Sequence, residues 1–442
     1  MASLSVAVVG SGISGLSAAW LLSQRHRVTL YEAENRLGGH SNTVQAETPD
    51  GVVPIDTGFI VFNLQNYPNL TKLFEYLKIT TAPTEMSFAF SADDGTYEYS
   101  GSSANGYFGQ RRNAVRPRHW SLLSDIARFF RTAQTRIPRF PANVSLGDFL
   151  KAERYCSAFI DEHIVPMGAA IWSTSADRML DFPARSFIDF YTNHGMLQFD
   201  DRPQWRTVTG GSQNYVKQLV ATGKFEHLSG CAVRKIVRHG TYVHIVDERN
   251  VARPFDHVVV ATHANHALEL LSDADTLEQD LLGSFGYQKN LAVLHFDPRW
   301  MPKRKRLWSS WNYLRNGEGA DRRLCVTYWM NRLQELDTKA NLFVTLNPAG
   351  DIHPKAVVAQ FSYDHPAFCA RALSAQRRLW ALQSRRRTWF CGSYFGFGFH
   401  EDGLQSGLAV AEELGGMMRP WTVENPSGRI AALDAKQMEV AE

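Results

Sequence analysis

Gly10, Ser11, Gly12, Ile13, Ser14 and Gly15 form a GxGxxG turn between the apolar run Val6–Val9 and a stretch without early helix breakers. A second apolar run, Val28–Tyr31, ends in Glu32, seventeen residues past Gly15. A glycine-rich turn opening a helix, followed at this spacing by an acid, is the chemistry of dinucleotide recognition. Gly10 permits the tight turn, Gly12 lets backbone approach a pyrophosphate, and Gly15 lets helix and strand pack closely. The helix N-terminus adds unpaired N–H groups and the positive end of its dipole. Glu32, with Ala33 beside it, is placed to accept from ribose hydroxyls. Arg36, Gly38, Gly39 and His40 follow, a second glycine pair that turns the chain back over the bound dinucleotide.

Candidates for a base that, tuned toward neutral pH, would take a proton from a substrate are His163, His194, Tyr394 and His400, the last two in the aromatic loop 394–400. A hydrogen-bonded core role would leave the same trace in sequence for each. Met167, Ile171, Trp172, Trp205, Phe397 and Phe399 are candidates for an apolar substrate wall, although core packing requires the same residue types. No metal centre is expected. The histidines are dispersed apart from the i, i+3 pair His263 and His266, and the five cysteines have no CxxC spacing.

To hold these groups, the chain must supply strand, turn and helix at its start and a matching strand and helix near its end. Residues 388–392 read as a buried strand, and 401–414 as a loop entering a helix. Strands are also expected at 230–238, 242–246, 255–261, 292–296, 324–329 and 342–346, and helices at 68–77 and 120–137. With 442 residues, 44% hydrophobic and 21% charged, the chain is globular and long enough for two interleaved domains. No apolar run reaches the roughly eighteen residues of a membrane span. The stretch 6–22 contains three glycines and lacks a basic flank, so it reads as the dinucleotide turn and not as a leader. A cytoplasmic protein is the expectation.

Taken with the segments 56–63, 166–173, 193–195, 204–212 and 398–403, these features resemble the flavin-containing amine oxidase and phytoene desaturase superfamily. The resemblance covers most of the chain. It implies an α/β fold: a Rossmann-like FAD domain built from discontinuous segments, 1–62, 205–285 and 386–420, and an α+β substrate domain, 63–204 and 286–385, with a mixed or antiparallel sheet. Residues 421–442 are left as a tail. The implied cofactor is FAD, held non-covalently. Its further contacts would come from Thr57, Gly58, Phe59, Ile60, Val233, Thr262, Gly392, Glu401, Asp402, Gly403, Leu404 and Ser406. Two departures stand out: His40 occupies a place where amine oxidases commonly carry arginine, and the register puts Asn290, not Lys289, at their flavin-facing lysine.

The same segments are similar to a bacterial branch that accompanies fatty-acid methyltransferases and includes a dehydrogenase of methylated acyl chains on the route to furan fatty acids. The resemblance thus implies an FAD-dependent oxidoreductase that desaturates a hydrophobic, lipid-like substrate by hydride transfer. An oxidase of small amines and a non-catalytic flavin-binding partner of a lipid methyltransferase are the alternatives.

Net charge is only +3, yet eight arginines face the single acid Asp125 between Arg111 and Arg139. Leu122, Ile126, Phe129, Phe130, Ala133 and Ile137 recur at helical spacing in that segment. An arginine-rich amphipathic helix can lie on an anionic membrane, and the clusters 303–306, 377–378 and 385–387 could join it if they share its face. A core-facing stripe with solvated arginines satisfies the same pattern. No base-reading or stacking module accompanies the charge, so nucleic acid is not an expected partner.

Overall fold

The computed structural model describes residues 2–172, 176–198, 203–317 and 323–431; the last part of the expected tail lies outside these. A parallel five-stranded sheet forms the first layer, in the order Glu226–Leu228, Arg27–Tyr31, Ser5–Val9, His257–Val260, Thr388–Phe390. Its central strands are near-continuous valine, alanine and leucine. This suits burial on both faces, and Val6, Ala7 and Val8 have no exposure. All three separated segments of the chain contribute to this one sheet.

Helix Ile13–Leu22 follows the first strand, and helix His400–Gly415 returns from the far end of the chain to pack along it. Glycines make that approach possible. A Cβ on Gly407 would lie 2.2 Å from the Ser14 carbonyl oxygen, and one on Gly403 would lie 2.9 Å from Ile13 Cγ2.

The second layer is a mixed seven-stranded sheet: Val357–Ala367, Gly286–His295, Phe343–Leu346, Arg323–Trp329, Trp311–Asn316, Phe88–Ala92, Tyr97–Ser100. Every neighbouring pair is antiparallel except Trp311–Asn316 with Phe88–Ala92. Helices between residues 104 and 193 cover it, and the largest side chains of its core are aromatic.

The region after residue 230 departs from the sequence reading. The antiparallel meander closes with Ala252–Phe255, while His257–Val260 crosses into the parallel sheet. Asp256 makes the corner by accepting from Ser5 N at 2.7 Å.

Helix Pro117–Arg136 corrects a second expectation. Leu122, Ile126, Phe129 and Ala133 point into the core and Ile137 is buried just beyond, so this apolar stripe cannot rest on a lipid surface. The basic clusters also separate. Arg378, Arg385 and Arg386 pair with Asp280, Asp275 and Asp273, whereas Arg304 and Arg306 meet Arg111, Arg112 and Arg116 around one pocket. Among the described residues, no helix is long and apolar enough to cross a membrane.

Candidate active site

One continuous cavity of about 1030 Å³ runs from the glycine turn into the space between the two layers. Gly10, with φ of +100°, makes the turn at the end of the first strand. Gly12 is the N-cap of helix Ile13–Leu22, and no side chain caps that helix, so its first amides face the cavity. Glu32 closes the second strand onto the turn, accepting from Ser11 N at 2.9 Å, Ser11 Oγ at 2.5 Å and Glu34 N at 2.9 Å. Arg36 donates to the Gly39 carbonyl at 2.7 Å and pairs with Glu34 at 2.9 Å. Val233 borders the same end, where its strand slips register before Lys235.

The cavity brings together Gly10, Ser11, Gly12, Ile13, Ser14, Glu32, Ala33, Arg36, Gly39, His40, Thr57, Gly58, Phe59, Ile60, Val233, Thr262 and Gly392. It does not include Gly15, Gly38, Glu401, Asp402, Gly403, Leu404 or Ser406, and each has a physical reason. Gly15 sits under the turn, where a Cβ would lie 1.9 Å from the Gly10 carbonyl oxygen. Gly38 donates its N–H to the Ser11 carbonyl at 3.1 Å, supporting the loop from behind. Glu401, fully buried, accepts from Asn69 N at 3.0 Å and Leu70 N at 2.9 Å at the start of helix Pro68–Tyr76. Asp402 accepts from Phe399 N at 2.7 Å and pairs with Arg429 at 3.3 Å. Gly403 serves the helix contact, Leu404 is core, and Ser406 Oγ accepts from Gly392 N at 3.0 Å.

Beyond the turn, the walls become apolar. Met167, Ile171, Trp172, Trp205, Phe397 and Phe399 all line the inner chamber, with Phe88, Phe130, Phe190 and Leu346. Phe190 organises part of it, lying 3.8 Å from the His194 ring, 5.0 Å from Phe399 and 4.8 Å from Trp172.

All four proton-transfer candidates line the cavity, but their surroundings separate them. His400 is stacked on Phe59 at 3.7 Å, and its Nε2 lies 3.0 Å from both Ser41 Oγ and Tyr215 Oη, so that nitrogen is occupied. Burial raises the Tyr394 hydroxyl well above 10, which keeps its proton in place and removes it as a base. His163 sits in the π-helical turn Ile160–Ile164, with Nδ1 3.0 Å from Tyr99 Oη. Tyr99 donates to the Glu162 carbonyl at 2.7 Å, so its oxygen accepts from His163 Nδ1–H. His194 Nδ1 donates to the Phe190 carbonyl at 2.9 Å, leaving Nε2 as a buried lone pair without a protein partner.

Sequence reasoning missed the wall formed by Tyr363, Asp364 and His365. These belong to the edge strand Val357–Ala367, whose alternation Phe361, Tyr363, His365 was a legible signal. Tyr363 Oη lies 2.7 Å from Thr57 Oγ1, and the His40 ring lies 4.9 Å from Tyr363 and 5.3 Å from His365. The register expectation for Asn290 is also corrected. Asn290 is buried and bonded to His365 Nδ1 and the Asn347 amide, whereas Lys289 lines the cavity. His263 and His266 meet Asp364 across the interface, their ligand atoms within 4.8 Å of one another, a juxtaposition not expected from the sequence.

Burial lowers His194 and His400 to about 3 and His263 and His365 to about 4, and it holds His40 well below its usual value. A base depressed in the folded state favours folding above its unfolded pKa, about 6.5, and that contribution is lost as pH falls toward the folded values. Asp56, pushed up to about 6 by burial, acts in the opposite sense. The histidines outnumber it, so thermal scans should show stability falling steadily from pH 6.5 to pH 4. Each such histidine adds about 1.4 kcal/mol per pH unit at most. A melting temperature that rises on acidification would contradict this account.

Several buried polar atoms along the cavity have no protein partner: Tyr31 Oη, His40 Nε2, His263 Nδ1 and Tyr394 Oη. Buried polar groups are normally satisfied, so these fit a bound molecule with polar groups along its length. Glycine backbone, an uncapped helix N-terminus, a terminal acid and an arginine suit the pyrophosphate and ribose of a dinucleotide. The fold and site therefore define a dinucleotide-binding protein with an apolar reaction chamber.

The family model of flavin containing amine oxidoreductases matches residues 13–415, and the chain belongs to that family. Its cofactor is accordingly FAD, which the turn, Glu32 and Arg36 fit. Among curated relatives, a carotenoid phi-ring synthase of Streptomyces griseus is 50% identical over 64 residues, 14% of this chain and 12% of the relative. A coproporphyrinogen III oxidase of Staphylococcus aureus is 29% identical over 182 residues, 40% of this chain and 38% of the relative. The chain thus matches well under two thirds of either relative's length. Among solved structures, a CLA-producing fatty acid isomerase from P. acnes superposes with a TM-score of 0.65 at 15% identity, covering 93% of this chain and 97% of that one.

Proposed function

We propose that this protein is an FAD-dependent dehydrogenase that desaturates a long apolar substrate, an unsaturated or methyl-branched fatty acyl chain. The observation carrying this reading is the continuity of the dinucleotide groove with a chamber walled by aromatic and aliphatic side chains. Such walls hold a hydrocarbon by burial with little directional bonding. The acids lining the cavity among the described residues are Glu32, Glu34, Glu269 and Asp364, whereas Met167, Ile171, Trp172, Phe190, Phe397 and Phe399 are apolar.

Bound FAD supplies the two-electron acceptor. The chain's own residues exclude water, align the acyl chain and receive the second hydrogen as a proton. His194 Nε2 would take the proton from the substrate carbon next to the one that loses hydride, and the electron pair of that second C–H bond would form the C=C bond. The Phe190 carbonyl fixes the imidazole tautomer that makes Nε2 the acceptor. Burial lowers His194 to about 3, so its Nε2 is unprotonated and should add no acid limb between pH 5 and 9, and it is a weak base suited only to the acidic C–H beside a carbon that has lost hydride. His194→Phe should slow flavin reduction about 100-fold while FAD stays bound. An unchanged reduction rate would remove His194 from the reaction.

The deciding experiment follows flavin bleaching without oxygen. Holoenzyme is mixed with methyl-branched or unsaturated acyl lipids in one series and with small amines in another. Bleaching with the lipids and a two-hydrogen loss from one acyl species supports the reading. Bleaching with amines alone, or with neither series, rejects it.

A further inference from the structure

Outside the cavity, five arginines from two distant segments, Arg111, Arg112 and Arg116 from one and Arg304 and Arg306 from the other, converge on a pocket of about 490 Å³. Gly95, Thr96 and Gln110 complete its lining, which contains no acid. Like charges brought together raise the energy of the folded chain unless counter-charges offset them. The nearby acids are already engaged: Glu98 by Arg304 at 2.7 Å, Asp94 by Lys303 at 2.6 Å and Asp93 by Arg315 at 3.2 Å. Arg111 and Arg116 donate only to neutral oxygens, on Asn105 and Phe108 for the first and on Gln110, Asn113 and Thr96 for the second. Arg112 and Arg306 have no acidic partner among the described residues.

Four guanidinium groups without a counter-charge, in a concave site, match the geometry of phosphate oxygens. Two exposed apolar side chains lie on the same stretch as Arg111–Arg116. Val115 is 79% exposed and Trp120 is 53% exposed. The Trp120 indole N–H is satisfied by the Ala114 carbonyl at 2.9 Å, and its ring packs beside Phe108 at 5.3 Å. A tryptophan with its polar atom satisfied and its ring exposed suits the boundary between lipid headgroups and acyl chains.

We infer that this face docks on an anionic phospholipid surface, with a headgroup phosphate in the arginine pocket and Val115 and Trp120 entering the interface. The lipid-facing side chains differ from the helical stripe expected from the sequence, because that stripe is buried. The hairpin Phe88–Ala92 and Tyr97–Ser100 links the two sites: its turn residues Gly95 and Thr96 line the pocket, and Phe88 and Gly101 at its other end line the cavity. At about 3.3 Å per residue, the hairpin spans about 15 Å. The inference does not depend on which molecule the chamber oxidises.

The test is flotation of the FAD-loaded protein of residues 1–442 with vesicles of phosphatidylcholine alone or mixed with phosphatidylglycerol. Binding is expected only to the mixed vesicles, weakening at least tenfold when salt is raised from 50 mM to 500 mM. Arg112→Glu with Arg306→Glu should lose at least tenfold in affinity, and Trp120→Ala several-fold, with flavin absorbance and melting temperature retained as evidence of folding. Failure of the parent protein to float with mixed vesicles overturns the inference, as does equal binding by the charge-reversed variant or to phosphatidylcholine alone. Inorganic phosphate is the second probe. Submillimolar binding of phosphate that displaces the protein from vesicles at constant ionic strength would assign the pocket to a soluble anion and reject the membrane.

Discussion

Gly12→Val should give a folded, colourless protein. At Gly12 the backbone is extended into the helix cap with φ of −63° and ψ of 175°, angles open to any L-residue, and a Cβ there meets no heavy atom within 4 Å. No protein atom resists a Cβ at this position. The valine instead fills the approach to the first amides of helix Ile13–Leu22, where hydrogen bonds to a pyrophosphate need about 3 Å. FAD affinity should fall at least a thousandfold, about 4 kcal/mol, with the melting temperature of the FAD-free protein unchanged. The neighbouring glycines should behave differently. A Cβ on Gly15 would sit 1.9 Å from the Gly10 carbonyl oxygen, so Gly15→Ala should damage the fold itself. Visible absorbance of the purified variants checks both, and a yellow Gly12→Val protein would show that this turn does not hold the pyrophosphate.

Asp56→Ala should destabilise the protein by about 4 kcal/mol, since several buried donors lose their acceptor together. The carboxylate is fully buried and accepts from Thr43 Oγ1 at 2.6 Å, Ser212 N at 2.9 Å, Ser212 Oγ at 2.8 Å and Gln334 Nε2 at 3.0 Å. Three regions distant in sequence meet on this one side chain: the hairpin Thr43–Thr48 and Gly51–Asp56, the start of helix Gln213–Thr222, and the chain after Met330–Leu333. The cavity wall Thr57–Ile60 leaves directly from it. Asp56→Asn keeps the shape but turns an NH₂ toward donors, so it should recover only part of the loss. Urea unfolding of the FAD-loaded proteins measures both. A drop below 1 kcal/mol for Asp56→Ala would mean that water or rearrangement satisfies the clasp.

The two aspects of the site differ in how far they could be read from residues alone. Glu32 was legible because it follows the apolar strand Arg27–Tyr31, parallel to Ser5–Val9, at a fixed spacing from the glycine turn. Glu401 and Asp402 were misplaced because a buried acid near a helix start looks the same whether it faces a ligand or another helix. Glu401 meets Asn69 and Leu70 across 332 and 331 positions of chain, a contact no local pattern encodes. Asn290 illustrates a shift of one residue, which in a strand exchanges the cavity face for the buried one.

Turn chemistry, apolar period and the spacing of glycines are local properties, so the amino-acid order by itself determined the parallel nucleotide layer, the roles of Gly10, Gly12 and Gly15, and the aromatic character of the chamber. Tertiary structure alone decided which face each helix buries, which imidazole nitrogens are bonded and which face the cavity, and that arginines from 111–116 and 304–306 share one pocket. The reason is physical: periodicity fixes a side chain's direction relative to its own helix or strand, whereas burial, counter-charge and proton affinity depend on whatever other element arrives against it.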